Sequence, residues 1–181
     1  MNRFDKSESI KAGIRKSFLA GDSKFARRKC YGYDIGADGT LRVNTDEANV
    51  VRWIFQQYQS GLSLGKIVDG LAQQKIPSPT GKAKWNREAI DKLLSNEKYT
   101  GRVLLQKTIS TGISQINNNG IISQYLYTET HEPIIPDDLF FNVQKSKVKR
   151  SKSSNNEFAI KIRFLYKGII INHNKNRANL H

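Results

Sequence analysis

The chain has 181 residues, enough for one compact domain with appendages, and its 38% apolar content permits a modest core. Cys30 is the only cysteine and no apolar run approaches the ~18 residues of a membrane span, which excludes a disulfide framework, a thiolate zinc cluster and a spanning helix. Lys and Arg outnumber Asp and Glu by 30 to 16, and the surplus of +14 lies at the ends: residues 1–42 carry 10 basic and 5 acidic side chains, and 145–181 carry 10 and 1.

Ser7 is placed to cap a helix whose apolar positions Ile10, Ile14 and Phe18 recur every fourth residue and which ends near Gly21. That stripe is narrow, so the helix is expected to lean on something outside this sequence. Residues 22–29 read as a basic linker, and Ala37-Asp38-Gly39 between two β-prone runs predicts a hairpin over Tyr31–Val43. Asn44 with Glu47 gives a capping-box-like start to a helix carrying Val50, Val51, Ile54, Phe55 and Tyr58 on one face, and Gly61 stops it. Ser63 caps a second helix with Leu64, Ile67, Val68 and Leu71 inward, weakened at Gly70 by roughly 1 kcal/mol relative to Ala.

Pro77, Pro79 and Gly81 enforce an extended turn, after which Asn86 caps a third helix from Arg87 to about Ser95 with Ile90, Leu93 and Leu94 buried. Tyr99–Lys107 reads as a strand, 117–120 as a turn and Ile121–Tyr127 as its partner. Pro136 is expected at the first position of a helix whose apolar side is Leu139, Phe140 and Val143. From Lys145 to Asn156 the composition collapses to Lys, Ser and Asn, which predicts a solvated linker or a ragged helix end.

A polyanion drawn along the basic ends is the simplest physical partner, because each neutralised phosphate releases condensed counterions. A solvated surface with a basic tail is the plain alternative. Three short helices followed by a β-hairpin resemble a winged helix-turn-helix, whose third helix enters the major groove. On the outward face of that helix, Arg87 and Lys92 are candidates for guanine edges or phosphates, and Asn86 for presenting backbone N–H groups to a phosphate. The plain alternative for the same face is two i,i+4 ion pairs, Arg87–Asp91 and Glu88–Lys92, because such faces are common on ordinary helices. Lys82 and Lys84 precede it, while Trp85 is expected to be a core anchor. Lys24, Arg27, Arg28 and Lys29 form a candidate DNA-following arm, and Lys145, Lys147, Lys149 and Arg150 a second phosphate-attracting run; neither specifies sequence by itself. His131, His173 and His181 have no partner at metal spacing, and Asp137-Asp138 favour a helix dipole rather than a catalytic pair. No nucleophile elbow, phosphate loop or metal-binding helix occurs, so no catalytic residue, metal or cofactor is expected.

Taken together, Tyr31-Gly32-Tyr33, Glu47-Ala48, Val51-x-x-Ile54-Phe55-x-x-Tyr58, Gly61-x-Ser63, Ile76-Pro77-x-Pro79-x-Gly81, Trp85 and Ile90-x-x-Leu93-Leu94-x-Asn96-x-x-Tyr99-x-Gly101 resemble the recombinase domain of the large serine recombinases. The resemblance covers roughly residues 7–150. It implies a DNA-binding domain preceded in the parent protein by a catalytic domain bearing the nucleophilic serine, with self-association through those other domains. Phe164–Ile170 resembles the opening of the zinc ribbon that follows in the family, but Asn172-His173-Asn174-Lys175 stands where Cys-x-x-Cys is found, so a truncated or decayed ribbon is expected.

The expectation is therefore an α+β chain: a connecting helix and basic arm over 1–29, a three-helix winged-helix-like DNA-binding domain with β-hairpins over 30–144, and a basic linker with a degenerate ribbon start over 145–181. Its expected partner is a duplex DNA half-site, its compartment the cytoplasm, with no membrane and no cofactor. A stand-alone winged-helix regulator and a basic RNA-binding protein are the competing readings.

Overall fold

The structure is a computed structural model that describes residues 3–20, 28–111, 113–118, 121–150 and 169–173, with the backbone alone for 3–8, 11 and 169–173. Two units emerge. One comprises Lys29–Gly101 and His131–Asn155; the other comprises Met1–Arg28, Arg102–Thr130 and Asn156–His181. The mixture of helices with small sheets agrees with the α+β expectation.

The first unit opens with an antiparallel hairpin of β1 (Tyr33–Ile35) and β2 (Leu41–Val43), its turn closed by Gly39 at φ 77° and by Asp38 accepting from Thr40 N–H at 3.0 Å. Helix α2 (Thr45–Gln59) starts at Asn44, whose side chain accepts from Glu47 N–H at 3.1 Å. Glu47 does not close a capping box; its carboxylate accepts from Gly32 N–H at 2.7 Å, tying the helix start to the preceding loop. Helices α3 (Leu64–Gln73) and α4 (Arg87–Leu94) are capped by Ser63 and Asn86 as their sequences predict.

The apolar stripes of these helices meet α5 (Asp137–Arg150) in one core, where Val51, Ile54, Phe55, Ile67, Leu71, Ile90, Leu94, Ile135 and Val143 are fully buried. Gly70 has a packing reason: a Cβ there would stand 2.9 Å from the Trp53 ring, so the glycine lets α2 approach α3. Trp85 is 3% exposed, edge-on to Tyr31, with its indole N–H donating to Pro77 O at 3.0 Å. It is a core anchor, as its position predicts.

At the centre, the Tyr33 and Tyr99 rings stack at 6.2 Å, and their hydroxyls donate to Glu132 O and Tyr31 O, each at 2.9 Å. Burial pushes both phenols well above the ordinary tyrosine range. His131 meets the Tyr33 ring edge-on and bonds Lys98 O through Nε2 at 2.6 Å; a carbonyl only accepts, so that nitrogen carries the hydrogen.

In the second unit α1 (Arg3–Leu19) begins ahead of the predicted Ser7 cap, so Ser7 lies inside the helix. Phe18 packs on Tyr125 at 6.3 Å, and Tyr127 donates its hydroxyl to Phe18 O and Leu19 O. The stripe therefore finds a partner within this chain at Phe18, while Ile10 and Ile14 remain 57% and 39% exposed. Strand β3 (Val103–Leu105) pairs antiparallel with β6 (Gln124–Thr128), which pairs in parallel with β7 (Ile169–His173).

Two expectations change in this region. Residues Glu97–Thr100 form a 3-10 turn, not strand, ended by Gly101 at φ 73°. Between the expected strand that ends at Lys107 and the expected turn at 117–120 lies a further hairpin, β4 (Thr108–Ser110) with β5 (Gln115–Asn117). Asn118 closes it from a buried position: its amide donates to Gln106 O at 2.8 Å and Ile122 O at 2.9 Å, and accepts from Ile122 N–H at 3.1 Å.

Gly101 combines a left-handed backbone with a close neighbour, since a Cβ would lie 2.8 Å from His131 O. Gly101→Ala is expected to cost about 1–3 kcal/mol in urea unfolding, and an unchanged midpoint contradicts the packing described. Burial, first among its causes, lowers the His131 pKa below 6.5. The unfolded chain then binds the extra proton, so stability is complete above 6.5 and is lost as pH falls toward the depressed folded value. Urea midpoints measured from about pH 7 to about pH 5 should fall, and His131→Gln should flatten that fall.

Candidate nucleic-acid interface

The start of α4 is fixed from below. Ser78 N–H donates to Lys82 O and Gly81 N–H to Ser78 O, both at 2.8 Å, and Trp85 pins this turn to the core. The amphipathic period of α4 then sends Ile90, Leu93 and Leu94 inward and leaves Arg87, Glu88, Lys92 and Ser95 exposed, with Asp91 half-buried.

Of the two ion pairs read from the sequence, one forms as spaced and one does not. Lys92 Nζ lies 2.7 Å from Glu88, whose carboxyl its hydrogen bond holds below the usual range. Asp91 instead pairs with Lys147 of α5 at 2.7 Å. Arg87 is left with no hydrogen bond or ion pair among the described residues. Its guanidinium lies over Gly65 at the start of α3, where a Cβ would be 3.1–3.4 Å from its Nη2, Nε and Cζ atoms.

The other candidate cations divide the same way. Lys84 pairs with Asp69 at 3.3 Å. Lys29 pairs with Asp34 at 3.1 Å; that bond raises the lysine pKa, and Asn44 with Lys29 lowers the aspartate's. Lys82, Lys145 and Lys149 are exposed with no acidic partner among the described residues, and Arg28 is exposed. Lys24 and Arg27 lie outside the described residues.

Lys147 and Arg150 differ from the uniform solvated run that composition predicts. The Lys147 side chain is 14% exposed, and its ammonium donates to Asp91 Oδ1 at 2.7 Å, Asp91 O at 3.0 Å and Ser95 Oγ. Arg150 donates to Leu62 O at 3.0 Å and Tyr58 O at 3.2 Å, with Cζ 4.3 Å above the Tyr58 ring. Gln144, which sequence reasoning missed, donates to Leu94 O at 2.7 Å. The last carbonyls of a helix have no intrahelical partner and carry its negative dipole end, so amide and cationic donors settle there. The signal for this seam is the i, i+3, i+6 spacing of Gln144, Lys147 and Arg150; it also explains why α5 runs through to Arg150.

Among the described residues no cluster of three His, Cys, Asp or Glu side chains is placed to hold a metal, and no helix is long and apolar enough to cross a membrane.

A family model described as Recombinase matches residues 45–150, from the first turn of α2 to the end of α5. The chain belongs to the Recombinase family. Its fold is similar to that in a crystal structure of an LSR–DNA complex, at 20% identity and a TM-score of 0.52, covering 81% of this chain and 42% of that one. It is also similar to a structure from work on the sequence requirements of the Listeria innocua prophage attP site, at 22% identity and a TM-score of 0.52, covering 81% of this chain and 54% of that one. The chain thus spans about half the length of these structures, or less. The Recombinase segment contains both α4 and the α5 seam that holds it.

Because the Arg87 guanidinium is exposed and unbonded, Gly65→Ala should displace it without unfolding the protein. Thermal unfolding is expected to change by no more than about 0.5 kcal/mol, or to gain slightly from helix propensity. A loss above about 2 kcal/mol would show that Arg87 is packed more firmly than described.

Proposed function

We propose that this Recombinase chain is the DNA-gripping part of a site-specific serine recombinase, binding one half-site of duplex DNA in the integration, excision or mobilisation of a DNA element. The observation that carries this reading is Arg87: an unpaired guanidinium at the head of an exposed, rigidly based helix whose other charges are paired. The likeness of the fold to one solved with DNA supports it.

In this reading α2–α4 act as a helix-turn-helix of winged-helix type, with α4 in the major groove. Arg87 offers the fork that matches guanine O6 and N7. The Asn86-capped helix start presents N–H groups to a phosphate. Lys82, Lys145 and Lys149 contribute phosphate charge, and the segment from Lys24 through Arg27, Arg28 and Lys29 follows the backbone. Lys84 and Lys92 belong to exposed ion pairs that water and salt screen and that phosphates can displace.

The test is a salt-dependent titration against a random duplex library with selection and sequencing. A recovered motif with a steep salt slope is expected; no binding at low salt would overturn the reading. On the selected site, Arg87→Ala should cost about 1–3 kcal/mol and relax the preference at one position, while leaving binding to unrelated duplex nearly unchanged.

A further inference from the structure

We infer that Lys147 sets DNA specificity indirectly, by capturing Asp91 and so leaving Arg87 free, and that it is not itself a DNA contact. This inference rests on the DNA-binding reading above.

Three observations carry it. An ammonium has three donors, and all three of Lys147's are used within the protein, on Asp91 Oδ1, Asp91 O and Ser95 Oγ. The side chain is 14% exposed, while its partner Asp91 is 49% exposed. Finally, Asp91 stands four residues after Arg87 on the same helix, the spacing at which opposite charges on a helix surface pair.

Without Lys147, the Asp91 carboxylate has two courses. It can turn to Arg87, occupying the fork that would read a base, or stay unpaired beside the phosphates and repel them. Either course weakens recognition through Asp91, so Lys147 is a positioning residue. Gln144 on Leu94 O and Arg150 on Tyr58 O and Leu62 O extend the same seam and fix the ends of α4 and α2 against α5.

The experiment compares four forms of the chain on the selected duplex and on an unrelated one across a salt series: unaltered, Lys147→Met, Lys147→Met with Asp91→Asn, and Lys145→Met. Circular dichroism and thermal unfolding establish that each is folded at the assay temperature. The single Lys147 variant should lose about tenfold in affinity for the selected duplex. Adding Asp91→Asn should restore most of that loss at an unchanged salt slope, because the double variant removes a pair that was neutral as a whole. Lys145→Met should instead weaken both duplexes and lower the slope by about 0.9, as for one lost phosphate contact.

Rescue by Asp91→Asn is a readout that a purely structural role of Lys147 would not move. If Lys147→Met binds like the unaltered chain, or the double variant loses about 0.9 of slope and is not rescued, the inference falls while the DNA-binding reading stands. If the unaltered chain binds neither duplex, both fall.

Discussion

The return of the chain at residues 131–150 is the constraint on which the first unit depends. Helices α2, α3 and α4 are each too short to be stable alone, and their shared core is closed only when Phe140 and Val143 of α5 enter it. The return is fixed at its start by Tyr99, whose carbonyl accepts from the N–H groups of Ile134 and Ile135, both at 2.9 Å. It is fixed at its end by the donors that α5 places on the last carbonyls of α4 and α2. The Leu94 carbonyl is the buried one, and left without the Gln144 amide it would cost about 1–3 kcal/mol, so this bond of the seam matters to the orientation of α4.

That seam also changes the meaning of the basic composition. A surplus of +14 reads as a diffuse attraction for polyanions, yet the structure divides the cations into distinct groups. Lys29, Lys84 and Lys92 sit in exposed pairs that add little to stability and mainly trim the local field. Lys147 and Arg150 are structural donors. Arg87, Lys82, Lys145 and Lys149 keep their charge available. The proposed interface is therefore narrower and more directional than a count of Lys and Arg conveys.

Much of the helical part was legible in the sequence because its signals are local. Asn44, Ser63 and Asn86 cap where a side-chain oxygen three residues ahead of a free N–H must cap, and the apolar period of each helix points the same residues inward. Trp85 was legible because a large ring between a turn and a helix has few other places to go. What was hidden depends on partners distant in sequence: Asp91 choosing Lys147 over Arg87, Asn118 satisfying a loop from inside, and Glu47 bonding Gly32 instead of its own cap. The Lys-rich end of α5 misled for the same reason. Composition describes an exposed lysine and an inward one alike, and only the facing carbonyls tell them apart.

The basic end of α5 has two kinds of lysine, one turned to the protein and one exposed, which is the kind the proposed function offers to DNA. Amine acetylation read by mass spectrometry, on the free chain and on the chain with duplex DNA at low salt, tests it residue by residue. Lys147 is expected to react slowly in both states, whereas Lys82, Lys145 and Lys149 should react readily in the free chain and be protected by DNA. A Lys147 as reactive as Lys145 in the free chain, and protected alongside it by DNA, would show that both lysines face outward and that the division is wrong.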